Sequence, residues 1–253
     1  MSQINETTME ELNGKALEWT AASRFAIYYA PSRTSPWWSA GCRWLARDPE
    51  SGAELAPPVV PALAARSRDV PGLSRSPQRY GWHGTLVAPA QSVAHATLDD
   101  ILRRARAWAE RQSAFDLTVE AAALERFVAI RPATAEGAAA MRALAADALH
   151  EFAPLRAMPS EVDRRRRLAA DLNARQRELL ERWGYPYVLD EFRFHMTLSD
   201  SIEPDDRQAL IEWWRTQLPQ LGPLPIDGAA LFVEPQPGEP FVLAARLPFG
   251  DAR

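Results

Sequence analysis

The sequence predicts an α+β fold of two similar lobes, in which two antiparallel sheets flank a cleft and helices lie on the outside. Three observations lead to this prediction. A His-x-Thr-Leu motif occurs at His83 and again at His195. An amphipathic helical pattern follows each motif, and a hairpin pattern follows each helix at nearly the same distance from the histidine. A unit that recurs with the same element order indicates a pseudo-twofold pair of lobes.

The elements follow from local patterns along the chain. Residues 24–30 alternate in the manner of a strand, and residues 34–77 are rich in Pro, Gly, Ser and Trp, which indicates a long irregular connection with one helical turn near Trp44. Trp37, Trp38 and Trp44 either line a base-stacking surface or cap the core. Helices are predicted over 98–109, 136–152, 161–183 and 205–218, and hairpins over 115–131 and 226–247.

Domain organisation follows from the same patterns. Residues 1–23 are polar and acidic, so we expect a flexible extension, and residues 24–253 are expected to form a single domain. The two lobe motifs span 79–86 and 192–198, and the helical stretches of 136–183 connect the lobes.

Composition excludes several classes of protein. The net charge of -4 argues against binding long nucleic acid, which requires clustered positive charge. Lys15 is the sole lysine, so a phosphate-binding loop of the Gly-x-x-x-x-Gly-Lys type is absent, and no Cys-x-x-Cys or His-Glu-x-x-His metal motif occurs. A single cysteine and the lack of a long apolar run favour a cytoplasmic protein that does not bind membranes. Oligomeric state is left open.

The two motifs carry the chemistry. Residues two apart share a face of a strand, so Arg193, His195 and Thr197 are predicted to lie together, as are Arg79, His83, Thr85 and Val87. Histidine serves as base or acid near neutral pH, threonine hydroxyls can donate to phosphate oxygens, and arginine binds anions. We therefore predict that His83 and His195 are catalytic, that Thr85, Thr197, Arg193 and Arg79 bind substrate, and that neither a metal nor a cofactor is needed.

A third copy of the motif, at His95, is set aside. Thr97 precedes the predicted helix and Asp100 follows three residues later, which is the arrangement of a helix N-cap. The alternative for the other two histidines is that both are core residues without a catalytic role. Chance gives roughly 0.16 His-x-Thr tripeptides for four histidines and ten threonines, and a matched pair in a repeat favours function.

The motifs resemble those of the 2H phosphoesterase superfamily. The strings Arg-Tyr-Gly-Trp-His-Gly-Thr-Leu over 79–86 and Phe-Arg-Phe-His-Met-Thr-Leu over 192–198, with Trp-Gly-Tyr-Pro-Tyr-Val over 183–188, are similar to a bacterial branch associated with phosphonate metabolism. The resemblance implies a bilobal fold, one catalytic histidine from each lobe and no metal. That branch leads us to expect lysine at Val87, where a positive charge would raise phosphate affinity.

The sequence thus predicts a metal-independent phosphodiesterase that acts on a cyclic phosphate of a small nucleotide, sugar or phosphonate-derived ribose. Two imidazoles in opposite protonation states would act as acid and base. One alternative is an RNA-end 2′,3′-cyclic phosphodiesterase or ligase, with an RNA end as its partner. Another is a module that binds a nucleotide phosphate without turnover.

Overall fold

The computed structural model describes residues 8–12 and 15–250, with side chains from Leu17 onward. Its strands are β1 Thr8–Leu12, β2 Lys15–Trp19, β3 Arg24–Tyr29, β4 Gly84–Ala90, β5 Phe115–Leu117, β6 Val119–Leu124, β7 Phe127–Pro132, β8 Met196–Thr197, β9 Leu224–Ile226, β10 Gly228–Glu234 and β11 Val242–Pro248. Its α-helices are α1 Pro36–Trp44, α2 Pro61–Ala64, α3 Val70–Leu73, α4 Arg75–Tyr80, α5 Leu98–Ala109, α6 Ala135–Phe152, α7 Glu161–Leu168, α8 Ala174–Trp183 and α9 Pro204–Leu221. The predicted α+β class is therefore confirmed.

The strand order differs from a simple pair of lobes. One antiparallel sheet has the order β11-β10-β3-β4, and another has the order β6-β7-β8. The second hairpin, β10 and β11, thus joins the sheet of the first His-x-Thr motif, and the first hairpin, β6 and β7, joins the second motif. The two halves of the chain exchange hairpins, so each sheet is completed by strands that are distant in sequence.

A hydrophobic core lies between the sheets and the helices. Helix α5 buries the predicted apolar face, including Leu98, Ile101 and Trp108, and Thr97 caps it with a reciprocal bond to Asp100. This is the capping arrangement expected for the third motif. A capping box supplies partners for two backbone N–H groups that the first helical turn leaves unbonded. His95, just before the cap, is exposed, as predicted.

Three tryptophans of the predicted irregular region belong to the core. Trp37, Trp38 and Trp44 are 1%, 4% and 0% exposed, which excludes the base-stacking surface. Trp44 Nε1 donates to the carbonyl of Leu198 at 2.8 Å, so the indole holds the second motif in place. The region itself contains α1 to α4 rather than one helical turn, because proline lies at the first or second position of three of these short helices.

Two other predicted boundaries are wrong. The helix expected over 161–183 is interrupted, since α7 ends at Leu168 and Asn173 caps α8 through a reciprocal bond with Gln176. The boundary of the extension lies too late, because Leu17 and Trp19 are buried in the core and Ser23 donates to the carbonyl of Pro235 at 2.7 Å. Residues 1–7 and 13–14 of the expected flexible extension lie outside the described residues. No helix in the described part of the chain has the length and apolar character needed to cross a membrane.

Candidate functional site

Both predicted histidines lie directly before a strand and point to the same region. His83 precedes β4 and His195 precedes β8. Contacts on either side join the two motifs. Gly84 lies against Phe194, so close that an added Cβ would stand 2.4 Å from the phenyl ring. Glycine is required at position 84 because any side chain there would displace the phenyl ring of Phe194.

The two imidazoles are held in the same way. His83 Nδ1 lies 2.8 Å from the carbonyl of Gly81, and His195 Nδ1 lies 2.8 Å from the carbonyl of Arg193, each two residues earlier in the chain. A carbonyl can only accept, so each Nδ1 carries the proton and each Nε2 presents a lone pair. The Thr85 hydroxyl, 3.3 Å from His83 Nε2, therefore donates to it.

Burial keeps both rings neutral. Burial is the largest cause that lowers the pKa of His83 to about 4; the bond to the Gly81 carbonyl opposes it, and the nearby His195 acts in the same direction as burial. Burial also lowers the pKa of His195. At neutral pH neither imidazole binds the second proton that would make it a general acid. A charged ring would lose hydration in the buried site, which costs free energy. Burial thus favours the neutral form of both rings, whereas the predicted acid–base pair requires one of them to be protonated.

Aromatic residues surround the histidines. The ring of Tyr28 stacks on His83 at 3.9 Å between centroids, and Tyr80 lies 6.0 Å from it on another side. Phe127 packs against His195 at 5.6 Å. Of these aromatic residues, Tyr28 could have been identified from the sequence. It shares a face of the predicted strand with small residues, so its phenol has room to contact a neighbouring group.

A cavity of about 320 Å³ opens beside His83, and we call it the histidine cavity; neither His195 nor Thr85 is among its lining residues. Its wall includes His83, Thr197, Phe127 and Tyr80 together with Ser76, Pro77, Ser199, Asp200 and Ser201. The Asp200 carboxylate accepts from the backbone N–H groups of Arg75 and Ser76 at 2.9 and 3.1 Å. This link ties the end of the second motif to the helix that leads into the first, so both motifs form one wall.

Three predicted neighbours of the histidines lie elsewhere. Arg79 is in helix α4, not in the strand, and its guanidinium pairs with the buried Glu234. The Arg193 side chain is exposed and does not line the histidine cavity. Val87 is 1% exposed in the core rather than on the histidine face, since the β3–β4 pairing shifts by one residue between Thr85 and Val87. Such a bulge turns the following side chain to the other face of the sheet.

The described residues include no group of three or more His, Cys, Asp or Glu side chains placed to hold a metal ion. The nearest acidic group to the histidines in the cavity wall is Asp200, which is engaged by the backbone of α4. The site thus offers two neutral nitrogen bases, hydroxyl donors from Thr85 and Thr197, and an aromatic wall.

Two curated relatives give a different indication of function from the motifs. The chain is 35% identical over 241 residues to "Ribose 1,5-bisphosphate phosphokinase PhnN" of Janthinobacterium sp. (strain Marseille), covering 90% of this chain and 51% of the relative. It is also 35% identical over 231 residues to the protein of the same name from Laribacter hongkongensis (strain HLHK9), covering 87% of this chain and 50% of the relative. The chain spans about half the length of these relatives.

These names contradict the predicted function. A kinase transfers a phosphoryl group, whereas the sequence predicted hydrolysis of a cyclic phosphodiester, so the phosphodiesterase prediction is wrong. The RNA-end phosphodiesterase or ligase and the module without turnover fit the names no better. The His-x-Thr motif led to the error because a pair of neutral bases beside hydroxyls suits several kinds of phosphate chemistry.

A family model covers the region that holds most of the site. It matches residues 85–242, from Thr85 of the first motif through the whole of the second, which is more than half of the chain. Its description is "Protein of unknown function (DUF1045)". The chain belongs to this family.

Proposed function

We propose that this chain binds a phosphorylated ribose in the histidine cavity and acts as the acceptor side of a phosphotransferase. The observation that carries the proposal is the matched pair of imidazoles, each fixed by a carbonyl through Nδ1 and each presenting Nε2 as a base. The names of the two relatives support the substrate class, since both denote a kinase of ribose 1,5-bisphosphate.

The reaction follows from the state of the imidazoles. An oxygen of the phosphorylated sugar attacks the terminal phosphorus of a nucleoside triphosphate, a P–O bond forms to the sugar, and the bond to the leaving nucleoside diphosphate breaks. If the attacking oxygen carries a proton, that proton moves to the free Nε2 of a histidine. A base that is neutral at working pH can accept it without first losing a proton.

Threonine hydroxyls are suited to position the sugar. Thr85 donates to His83 Nε2, and rotation of its hydroxyl about the Cβ–Oγ bond would release both groups to the substrate. Thr197 lies in the same cavity wall as His83. The two hydroxyls would donate to phosphate or sugar oxygens near the attacking atom.

The nucleotide requires a binding site of a different kind. The chain contains no Gly-x-x-x-x-Gly-Lys loop, which is the usual backbone cradle for a triphosphate. We propose that the donor is bound by a part of the enzyme other than the histidine cavity. The bilobal arrangement of the 2H phosphoesterase superfamily and a role in phosphonate breakdown, both implied by the sequence resemblance, remain proposals about origin and pathway.

The proposal is tested by calorimetric titration of ribose 1,5-bisphosphate, together with an assay of phosphoryl transfer from MgATP, on the wild type and on His83→Gln, His195→Gln and His95→Gln. His95→Gln is the matched control, because it removes an exposed histidine of the same tripeptide. We expect the control to bind like the wild type and the other two to lose about 10-fold or more in affinity, or to bind without supporting transfer from MgATP. Absence of binding to the wild type, or binding and transfer unchanged in both motif variants, would overturn the proposal.

A further inference from the structure

A second cavity adjoins the histidine cavity and is lined by arginine. It has a volume of about 620 Å³, and its wall includes five guanidinium side chains: Arg24, Arg79, Arg156, Arg166 and Arg167. We call it the arginine cavity. Tyr80 lines both cavities, so the two cavities share one aromatic wall residue. Asp163 is the one acidic residue in the described part of its wall.

Three of the five arginines have acidic partners. Arg24 and Arg79 both pair with the fully buried carboxylate of Glu234, and Arg166 pairs with Asp163 at 2.6 Å. The five guanidinium groups of the wall and their two carboxylate partners, Glu234 and Asp163, together leave an excess of three positive charges. A concave surface of one charge concentrates counter-ions of the opposite sign.

The remaining two, Arg156 and Arg167, have no ion pair among the described residues, and each has a buried Nε without a hydrogen-bond partner there. Arg156 Nη1 donates to the carbonyl of Trp183 at 3.2 Å, and the Arg167 guanidinium lies 5.0 Å from the ring centre of Tyr185. Burial and the charge of Arg167 lower the pKa of Arg156 to about 10. Two like charges thus lie near each other, partly desolvated, and neither is paired with an acidic side chain among the described residues.

Such an arrangement suits a doubly charged oxyanion. Guanidinium binds phosphate through two parallel N–H donors, and a bound phosphate would supply the acceptors that both Nε groups lack. Free nucleic acid is a poorer fit, since the net charge of the chain is -4 and the positive groups are confined to a cavity. A single phosphate group on a small molecule fits the enclosed volume.

We infer that Arg156 and Arg167 bind one phosphate of a doubly phosphorylated sugar whose other end reaches His83 in the histidine cavity past Tyr80. This inference rests on the proposed function, which supplies the sugar. It explains substrate specificity: the protein binds the bisphosphate more tightly than the monophosphate because the second phosphate occupies the arginine cavity. Tyr80 contributes to the walls of both cavities, so the sugar would pass this ring between its two phosphate sites.

The test compares ribose 1,5-bisphosphate, ribose 5-phosphate and inorganic phosphate as titrants of the wild type, Arg156→Gln and Arg167→Gln. Arg165→Gln is the matched control, because Arg165 lies on the same helix as Arg167 but is exposed and pairs with Glu161. We expect the two cavity variants to bind the bisphosphate about 10- to 100-fold more weakly and to lose most of the preference over the monophosphate. The control should keep both.

The outcomes separate this inference from the proposed function. Bisphosphate binding that depends on His83 but not on Arg156 or Arg167 would overturn the arginine subsite and leave the proposed function intact. If neither sugar binds the wild type, weaker binding of inorganic phosphate in both arginine variants would support the subsite while the proposed function fails. Should Arg156→Gln melt early through loss of its bond to Trp183, Arg156→Lys, which can keep that bond, and Arg167→Gln decide the question.

Discussion

His83 should make the protein sensitive to mild acid, and His83→Gln should remove that sensitivity. The unfolded chain binds a proton at the ordinary pKa of 6.5, whereas burial lowers the pKa in the folded protein to about 4. Protonation therefore favours the unfolded state. The stabilisation from the neutral ring is fully present above pH 6.5 and is lost as the pH falls from 6.5 through 4.

The magnitude follows from the two pKa values. Their difference corresponds to about 3 kcal/mol when both transitions are complete, and to about 2 kcal/mol between about pH 7 and about pH 5. The wild type and the variant share the carboxylates that titrate in the same range. Their contributions therefore cancel in the difference between the two free energies of unfolding. Glutamine does not titrate, and the free energy of unfolding of His83→Gln should fall by about 2 kcal/mol less than that of the wild type.

Urea unfolding followed by tryptophan fluorescence measures this difference. The wild type, His83→Gln and the control His95→Gln would be unfolded at several pH values from about 7 to about 5, with the slopes checked for equality. The stabilities of wild type and His83→Gln should converge or cross as the pH falls. Parallel curves over the whole range would refute the argument that burial holds His83 neutral, and with it the basis for assigning a free base to Nε2.

Other substitutions test the packing around the site. Val87→Lys should lose about 4 kcal/mol of stability rather than strengthen phosphate binding, since it buries an unpaired charge in the core; a stable variant in thermal melting would show that position 87 faces solvent. Gly84→Ala should cost about 1–3 kcal/mol because its Cβ meets Phe194, and Phe194→Leu in that background should restore part of the loss; additive losses in urea unfolding would contradict this contact. Glu234→Gln should lower the stability by about 3 kcal/mol, yet tighten phosphate binding because the arginine cavity gains net positive charge. The control Glu239→Gln changes an exposed residue and should alter neither property. Thermal melting would measure the first effect and calorimetry the second.

Local signals predicted the helices well. Helix α5 was predicted from its apolar periodicity and from Thr97 and Asp100, which suffice to define a helix start. The same logic, applied to Asn173 and Gln176, would have divided the long helix predicted over 161–183 into α7 and α8. Caps are encoded within four residues, so they can be read without knowledge of the fold.

The site could be predicted only in part. The repeated His-x-Thr tripeptide identified His83 and Thr197, one residue of each motif that lines the histidine cavity. The face assigned to Val87 was wrong because the bulge in β4 depends on pairing with β3, which no local pattern reveals. Arg156 and Arg167 were not predicted either, since their proximity arises from packing between the segment before α7 and the end of that helix.

The exchange of hairpins between the two halves has a consequence for how the chain folds. Strands β3 and β4 obtain β10 from beyond residue 227, and β8 obtains β7 from before residue 133, so neither half can complete a sheet during its own synthesis. Pairings between distant segments form late, because closing the intervening loop costs entropy before any contact offsets it. The two histidines should therefore come together only after strands from both halves have paired, and we expect neither half alone to assemble the site.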